Sequence, residues 1–200
     1  MHHVLLLVQL AGAMAVVFGA VCLYVLACDP KTRIVHGLEH ATIRILEAGG
    51  VPVPTAQSER GGFELDIPGD FAVRDEEVAA AAAEAIARVR AGEARLAYDP
   101  ECGTVHGCRF VLPPLAAGAV AAVADLLGLP DPLALVLAVA LAVAVYLAHR
   151  SIGLFLQRVA TVSTKFAAAS VTDVESRPHR GGLRITVGLR IFRDPRSLAS

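Results

Sequence analysis

Five consecutive residues, His36-Gly37-Leu38-Glu39-His40, gather the side chains of this chain best able to do chemistry. Two imidazoles four residues apart on a helix project from neighbouring turns and can share one tetrahedral ion, while a glutamate beside them can take a proton from metal-bound water. The helix is predicted from its ends: Asp29 as N-cap, Pro30 at the first helical position, and Gly49-Gly50 as the stop. At roughly 100° per residue, His36, Glu39, His40, Ile43 and Glu47 fall within about a third of the circumference. Ile34, Leu38, Ala41 and Ile45 lie opposite, an apolar stripe sufficient to dock the helix without the histidines. The ordinary alternative is a surface helix whose histidines cap, hydrogen-bond or face water.

A second stretch, Asp99-Pro100-Glu101-Cys102-Gly103-Thr104-Val105-His106-Gly107-Cys108, holds further metal-ligating types. It is expected as a glycine-punctuated turn at the end of a short strand, 94–98, where side chains can be held away from the fold. Taking Cys102 as the third protein ligand gives His36, His40 and Cys102 with a fourth position open to water. The rivals for that place are Glu47, on the face of His40, and Glu84, Glu101 and His106. The bland reading makes Cys102 a buried thiol and His106 a loop residue. A closed site from Cys102, His106 and Cys108 is disfavoured by its tight spacing. One Cys and two His lean toward zinc.

The elements that must carry these residues include membrane spans. The 200 residues are 55% hydrophobic and 18% charged, with a mean hydropathy of +0.58, outside the range of ordinary soluble domains. Residues 4–27 carry no charge and are long enough to cross a bilayer. Lacking a basic leader and having too long an apolar run for a secretory signal, they read as an uncleaved anchor. A second apolar block is broken by Gly128, Pro130, Asp131 and Pro132 into 111–127 and 131–149, with Pro113-Pro114 near the start of the first piece. Three spans, or one span plus a re-entrant hairpin, both fit.

All eighteen Lys and Arg lie within 28–110 and 150–200. The positive-inside rule then puts both segments in the cytoplasm, at the inner membrane, where a reducing environment favours thiolate ligands over disulfides. A net charge of −1, no Trp and three Tyr give no case for nucleic acid. The basic tail could also meet anionic lipid headgroups.

The soluble part reads as a small α+β domain. Residues 51–60 are expected as an extended loop; 62–67 as a strand with Phe63, Leu65 and Ile67 on its dry face; and 75–91 as an alanine-rich helix with its acids first and Arg88 and Arg90 last. Past the hairpin, 151–170 reads as an interfacial helix or the inner end of the last span, and 183–191 as an amphipathic strand joining 62–67 and 94–98 in one sheet. The expected domains are an anchor 1–28, an α+β domain 29–110, a hairpin 111–149, and a 150–200 segment packing back on the α+β domain.

His36-Gly-Leu-Glu-His-Ala-Thr-Ile43 and Gly92-Glu-Ala-Arg-Leu-Ala-Tyr-Asp-Pro-Glu-Cys-Gly-Thr104, with Gly153-Leu-Phe-Leu-Gln-Arg158 and Thr161, resemble a family of uncharacterised bacterial integral-membrane proteins, over residues 30 to 165 or so. That resemblance implies that the motifs belong together and carries no activity. His-x-x-Glu-His by itself resembles the inverted zincins, which implies His36 and His40 as ligands and Glu39 as base. The chain departs from them in lacking an assignable downstream glutamate. The ligand set is similar in logic to that of the peptide deformylases.

The expected function is a membrane-anchored zinc hydrolase, a metallopeptidase with Glu39 as general base and a membrane-associated protein or peptide as substrate. The alternatives are a metal-binding or metal-sensing membrane protein, and a scaffold whose motif is plain helix surface.

Overall fold

The computed structural model describes residues 19–20, 29–166 and 169–191. The expected anchor at 4–27 lies, apart from Gly19 and Ala20, outside the described residues. The chain divides into two units, whose described residues are 19–20 with 100–159, the latter forming a helical hairpin, and 29–99 with 160–166 and 169–191, forming an α/β unit.

In the α/β unit, helix α1 spans Pro30–Ala48. Its start is fixed by Asp29, whose carboxylate accepts from the Lys31 amide at 3.0 Å and the Thr32 hydroxyl at 2.9 Å; those bonds, Thr32 foremost, hold the Asp29 carboxyl below the usual range. Strands β1 (Thr55–Glu59) and β2 (Gly62–Pro68) follow, then helix α2 (Asp75–Arg90) and a 3-10 turn at Ala94–Ala97. After the hairpin come strands β3 (Ala169–His179) and β4 (Gly182–Ile191). The sheet is antiparallel throughout, in the order β1-β2-β4-β3.

Alternation decides which face of the sheet is dry. Phe63, Leu65 and Ile67 pair with Val187, Ile185 and Leu183, and this face closes a core with Val35 and Leu38 of α1, Val78, Ala82 and Ala85 of α2, and Phe166. The other face is ionic: Arg184 reaches both oxygens of Asp66, at 2.7 and 2.9 Å, and Arg177 reaches Glu64 at 2.9 Å.

Three expectations for this unit are corrected. Residues 94–98 are not a strand. Gly92, at φ 106°, reverses the chain after α2, and the next amides bond locally, Leu96 to Glu93 and Tyr98 to Arg95, while Leu96 and Ala97 bury their side chains. The loop expected at 51–60 contains β1, a polar edge strand held by backbone pairing to β2 and so without a hydrophobic signature. The interfacial segment expected to reach 170 ends earlier, since β3 starts at Ala169.

In the hairpin unit, α3 (Gly103–Leu126) and α4 (Asp131–Leu156) are joined through Gly128, at φ 65°. Both are long and apolar enough to cross a membrane. Each extends past the expected spans of 111–127 and 131–149. Capping by Cys102 starts α3 at Gly103, which puts Pro113 and Pro114 inside the helix, where they withhold the amides that Arg109 and Phe110 carbonyls would receive. Helix α4 runs past His149 and Arg150 because polar residues end a hydrophobic run without ending a helix. Gly153 lets the two helices meet, for a Cβ there would stand 2.7 Å from the Val105 Cα. A π turn, Gln157–Thr161, then carries the chain out of α4 and into the α/β unit.

Candidate metal centre

Helix α1 is dry on nearly every side. Leu38 and Ala41 are buried as the apolar stripe requires, but so are Glu39 and His40 on the other face, and His36 is half-buried. The alternative of a plain surface helix with its histidines facing water does not describe this face, because β1 and the turn at Ala94–Ala97 pack against the helix.

Each imidazole is held by a backbone carbonyl from a distant segment. His40 Nδ1 donates to the Ala97 carbonyl at 2.9 Å, and His36 Nδ1 to the Thr161 carbonyl at 3.0 Å. A carbonyl can only accept, so in a neutral ring the proton sits on Nδ1 and the lone pair on Nε2. This is the tautomer, and the type of supporting bond, found behind metal-bound histidines. The rings meet edge to face with centroids 4.5 Å apart, and a nitrogen of one lies within 4.8 Å of a nitrogen of the other. Two nitrogens on one tetrahedral zinc are roughly 3.3–3.4 Å apart, a separation within reach of small ring rotations.

Glu39 lies between them in sequence and accepts a hydrogen bond from the Ser58 hydroxyl of β1. Burial pushes its carboxyl above the usual glutamate range; the Ser58 bond and the charge of His36 pull it down, and Asp99 adds to the rise. Register explains Ser58: it pairs with Phe63 and so shares the dry face.

Gly37 lets the segment after the π turn come close. A Cβ at Gly37 would meet the Ser163 carbonyl at 2.9 Å, Val162 Cγ1 at 3.0 Å and Phe166 at 3.2 Å. The same segment is tied to α1 by the Arg33 guanidinium on the Val162 carbonyl, 3.2 Å, and by the Ser163 amide on the Arg33 carbonyl, 2.8 Å. With no side chain at 37, the Thr161 carbonyl can reach His36.

The remaining candidates are placed as follows. Cys102 is buried in the hairpin unit as the N-cap of α3, its Sγ accepting from the Thr104 amide at 3.4 Å; it opens a helix rather than closing a strand. Glu101 is exposed and bonds Arg150 at 2.7 Å, with His106 3.6 Å away. Glu84 sits on α2 facing Arg88 at 3.4 Å. Glu47 is exposed at the end of α1. Sequence reasoning missed Ser58, Gly37 and the Ala97 carbonyl. None had a local signal, because each acts through a contact between elements far apart in the chain.

The architecture is an apolar helical hairpin combined with an α/β unit built on a His-x-x-Glu-His helix. A family model described as a domain of unknown function, DUF6391, matches residues 31–174, and the chain belongs to that family. The match takes in both motif stretches. No curated protein and no solved structure matches the chain significantly.

Proposed function

We propose that this protein is a membrane-anchored zinc hydrolase, a metallopeptidase, whose ion is held by His36 and His40 with Cys102 as the third ligand, the residue types and spacing of the two motif stretches. The observation that carries the reading is the pair of carbonyl bonds that fix both imidazoles, on adjacent turns, with their lone pairs on Nε2. Of the rivals for the third place, Glu84 and Glu101 are engaged by arginines, at 3.4 and 2.7 Å. Zinc, when bound, lowers the pKa of a bound water toward about 7 and polarises a carbonyl. Glu39, in its dry position, accepts the proton released by the attacking water and passes it to the leaving amine, while Ser58 fixes the orientation of its carboxylate.

The hairpin supports the membrane part of the reading. Only 11% and 6% of the most apolar stretches of its two helices are buried, and Leu126, Leu127, Leu135 and Leu147 stand exposed. A core helix of a soluble protein buries most of such a stretch; a bilayer is the solvent that suits this one. The arginine and lysine distribution favours the inner membrane with the α/β unit in the cytoplasm, near anionic lipid headgroups, and a membrane-associated protein or peptide as substrate.

A non-catalytic metal-binding or metal-sensing role is the second reading. It is favoured by the burial of Glu39 and His40, both under 7% exposed, which leaves little room beside them for a substrate.

The test is metal content by mass spectrometry on full-length protein extracted with detergent from alkali-washed membranes. About one zinc per chain is expected in the parent and in Glu39→Gln, with a clear loss in Cys102→Ala and near absence in His36→Ala/His40→Ala. Zinc retained by Glu39→Gln while turnover of membrane peptides disappears identifies the hydrolase; zinc lost from Glu39→Gln, in a protein with no turnover, identifies the binding role. A folded parent without stoichiometric metal sinks both, and recovery in the alkaline supernatant sinks the anchor.

A further inference from the structure

Thr161 supplies more than the carbonyl that holds His36. Its side chain is fully buried, and its Oγ1 has no hydrogen-bond partner among the described residues. Buried hydroxyls are seldom left so, and an exception calls for an explanation. Within an α-helix a threonine hydroxyl has the carbonyl three or four residues back as a ready acceptor. Here the backbone is a π turn, Gln157–Thr161, whose i→i+5 bonding displaces that acceptor. Carbonyl and hydroxyl belong to one residue, so Oγ1 lies within roughly 4–5 Å of the oxygen that receives the His36 proton. The turn thus delivers two polar groups to one place: the carbonyl is used by His36, and the hydroxyl is left over.

We infer that the Thr161 hydroxyl is a positioning group of the metal centre, its hydrogen bond reserved for the water or ligand oxygen that sits beside His36 when the ion is bound. The inference rests on the metal reading above. It explains why the turn is tied down at Val162 and Ser163 and admitted by Gly37: those contacts hold a hydroxyl in a place that the rest of the fold leaves unsatisfied. Thr161 therefore acts through the oxygen it orients and touches neither the ion nor Glu39.

The experiment compares parent, Thr161→Val and Thr161→Ser as full-length protein in detergent, by thermal unfolding after chelation, by zinc titration against a competing chelator, and by the visible absorption of the cobalt-substituted protein. Valine keeps the shape and removes the hydroxyl; serine keeps the hydroxyl. The expected result is an apo Tm for Thr161→Val equal to or above the parent's, a 10- to 100-fold loss of zinc affinity as for other groups behind a metal site, a shifted cobalt band, and recovery of both in Thr161→Ser. A Tm several degrees lower in apo Thr161→Val would show that the hydroxyl has a structural partner and overturn the inference. Unchanged affinity and cobalt band in Thr161→Val, with a parent that binds zinc, would overturn it alone. A parent that binds neither ion would overturn the metal reading and this inference together.

Discussion

The two units draw on the same aliphatic alphabet and place it in opposite ways. In the α/β unit, Val35, Leu38, Leu65, Val78 and Ile185 are sealed inside and the charges line the outer face of the sheet. In the hairpin, Leu126, Leu135 and Leu147 face outward, and among the described residues of α3 and α4 only Val105, Cys108, Ala124, Ala138 and Gly153 are buried. Packing organises the first unit, whereas the second turns most of its aliphatic side chains outward. A hydrophobic residue therefore has no fixed energetic meaning until its solvent is stated.

One substitution made in both places gives the largest predicted contrast. Leu65 is 0% exposed on β2, and Leu135 is 65% exposed on α4. Leu65→Ala should cost about 2–5 kcal/mol, through lost transfer energy and the cavity left behind. Leu135→Ala, at a side chain already 65% exposed, should stay within about 0.5 kcal/mol. Denaturant unfolding in one detergent measures both. Equal losses would mean that the hairpin has a packed core of its own, and the contrast would collapse.

Glycine gives a second, smaller contrast. Gly37 and Gly118 are both mid-helix, where alanine is ordinarily the better residue by about 1 kcal/mol. Among the described residues nothing stands within 4 Å of where a Cβ at Gly118 would go, so Gly118→Ala should be neutral or stabilising by up to that amount. At Gly37 the added carbon would collide with the Ser163 backbone, which cannot swing aside as a flexible side chain would. Gly37→Ala should destabilise by about 1–3 kcal/mol. It should also weaken zinc binding, because the displaced segment carries the Thr161 carbonyl. Zinc affinity measured beside stability checks the link; an unchanged affinity would show that His36 does not need that carbonyl.

The same contrast explains what could be read in advance. The α1 helix was legible because a cap, a proline and a terminal glycine pair act locally, and β2 and β4 were legible because Phe63, Leu65, Ile67 and Leu183, Ile185, Val187 alternate. The hairpin was legible in kind, since long apolar runs need only composition, but not in its ends, which depend on the Cys102 cap and on where helical bonding stops. Strand β1 was hidden because Thr-Ala-Gln-Ser-Glu gains its shape from pairing with β2 alone. The residues able to ligate could be picked by type and spacing. Their supports could not: the Ala97 and Thr161 carbonyls and the Ser58 hydroxyl have no type that marks them, and only the tertiary fold brings them to the helix.

The smallest predicted effect concerns the ionic face that sets the α/β unit apart. The Arg184 hydrogen bonds hold the Asp66 carboxyl below the usual aspartate range, against burial, which works the other way, and with the charges of Arg184, His179 and Arg180 adding to the fall. Its folded pKa is thus lower than its unfolded one, so the stabilisation is present at any pH above the unfolded value, about 3.9, and is lost as pH falls through the folded value. Both groups are about a quarter exposed, so solvent and salt screen the pair and the effect is modest. Asp66→Asn should lower the Tm by a few degrees at neutral pH. The gap to the parent should close progressively as the pH is lowered from about 4, because protonation then does to Asp66 what the amide does permanently. Thermal unfolding of both proteins between pH 7 and pH 3 measures this, and a gap that stays constant down to pH 3 would mean that the loss in Asp66→Asn comes from strand packing and not from the charge facing Arg184.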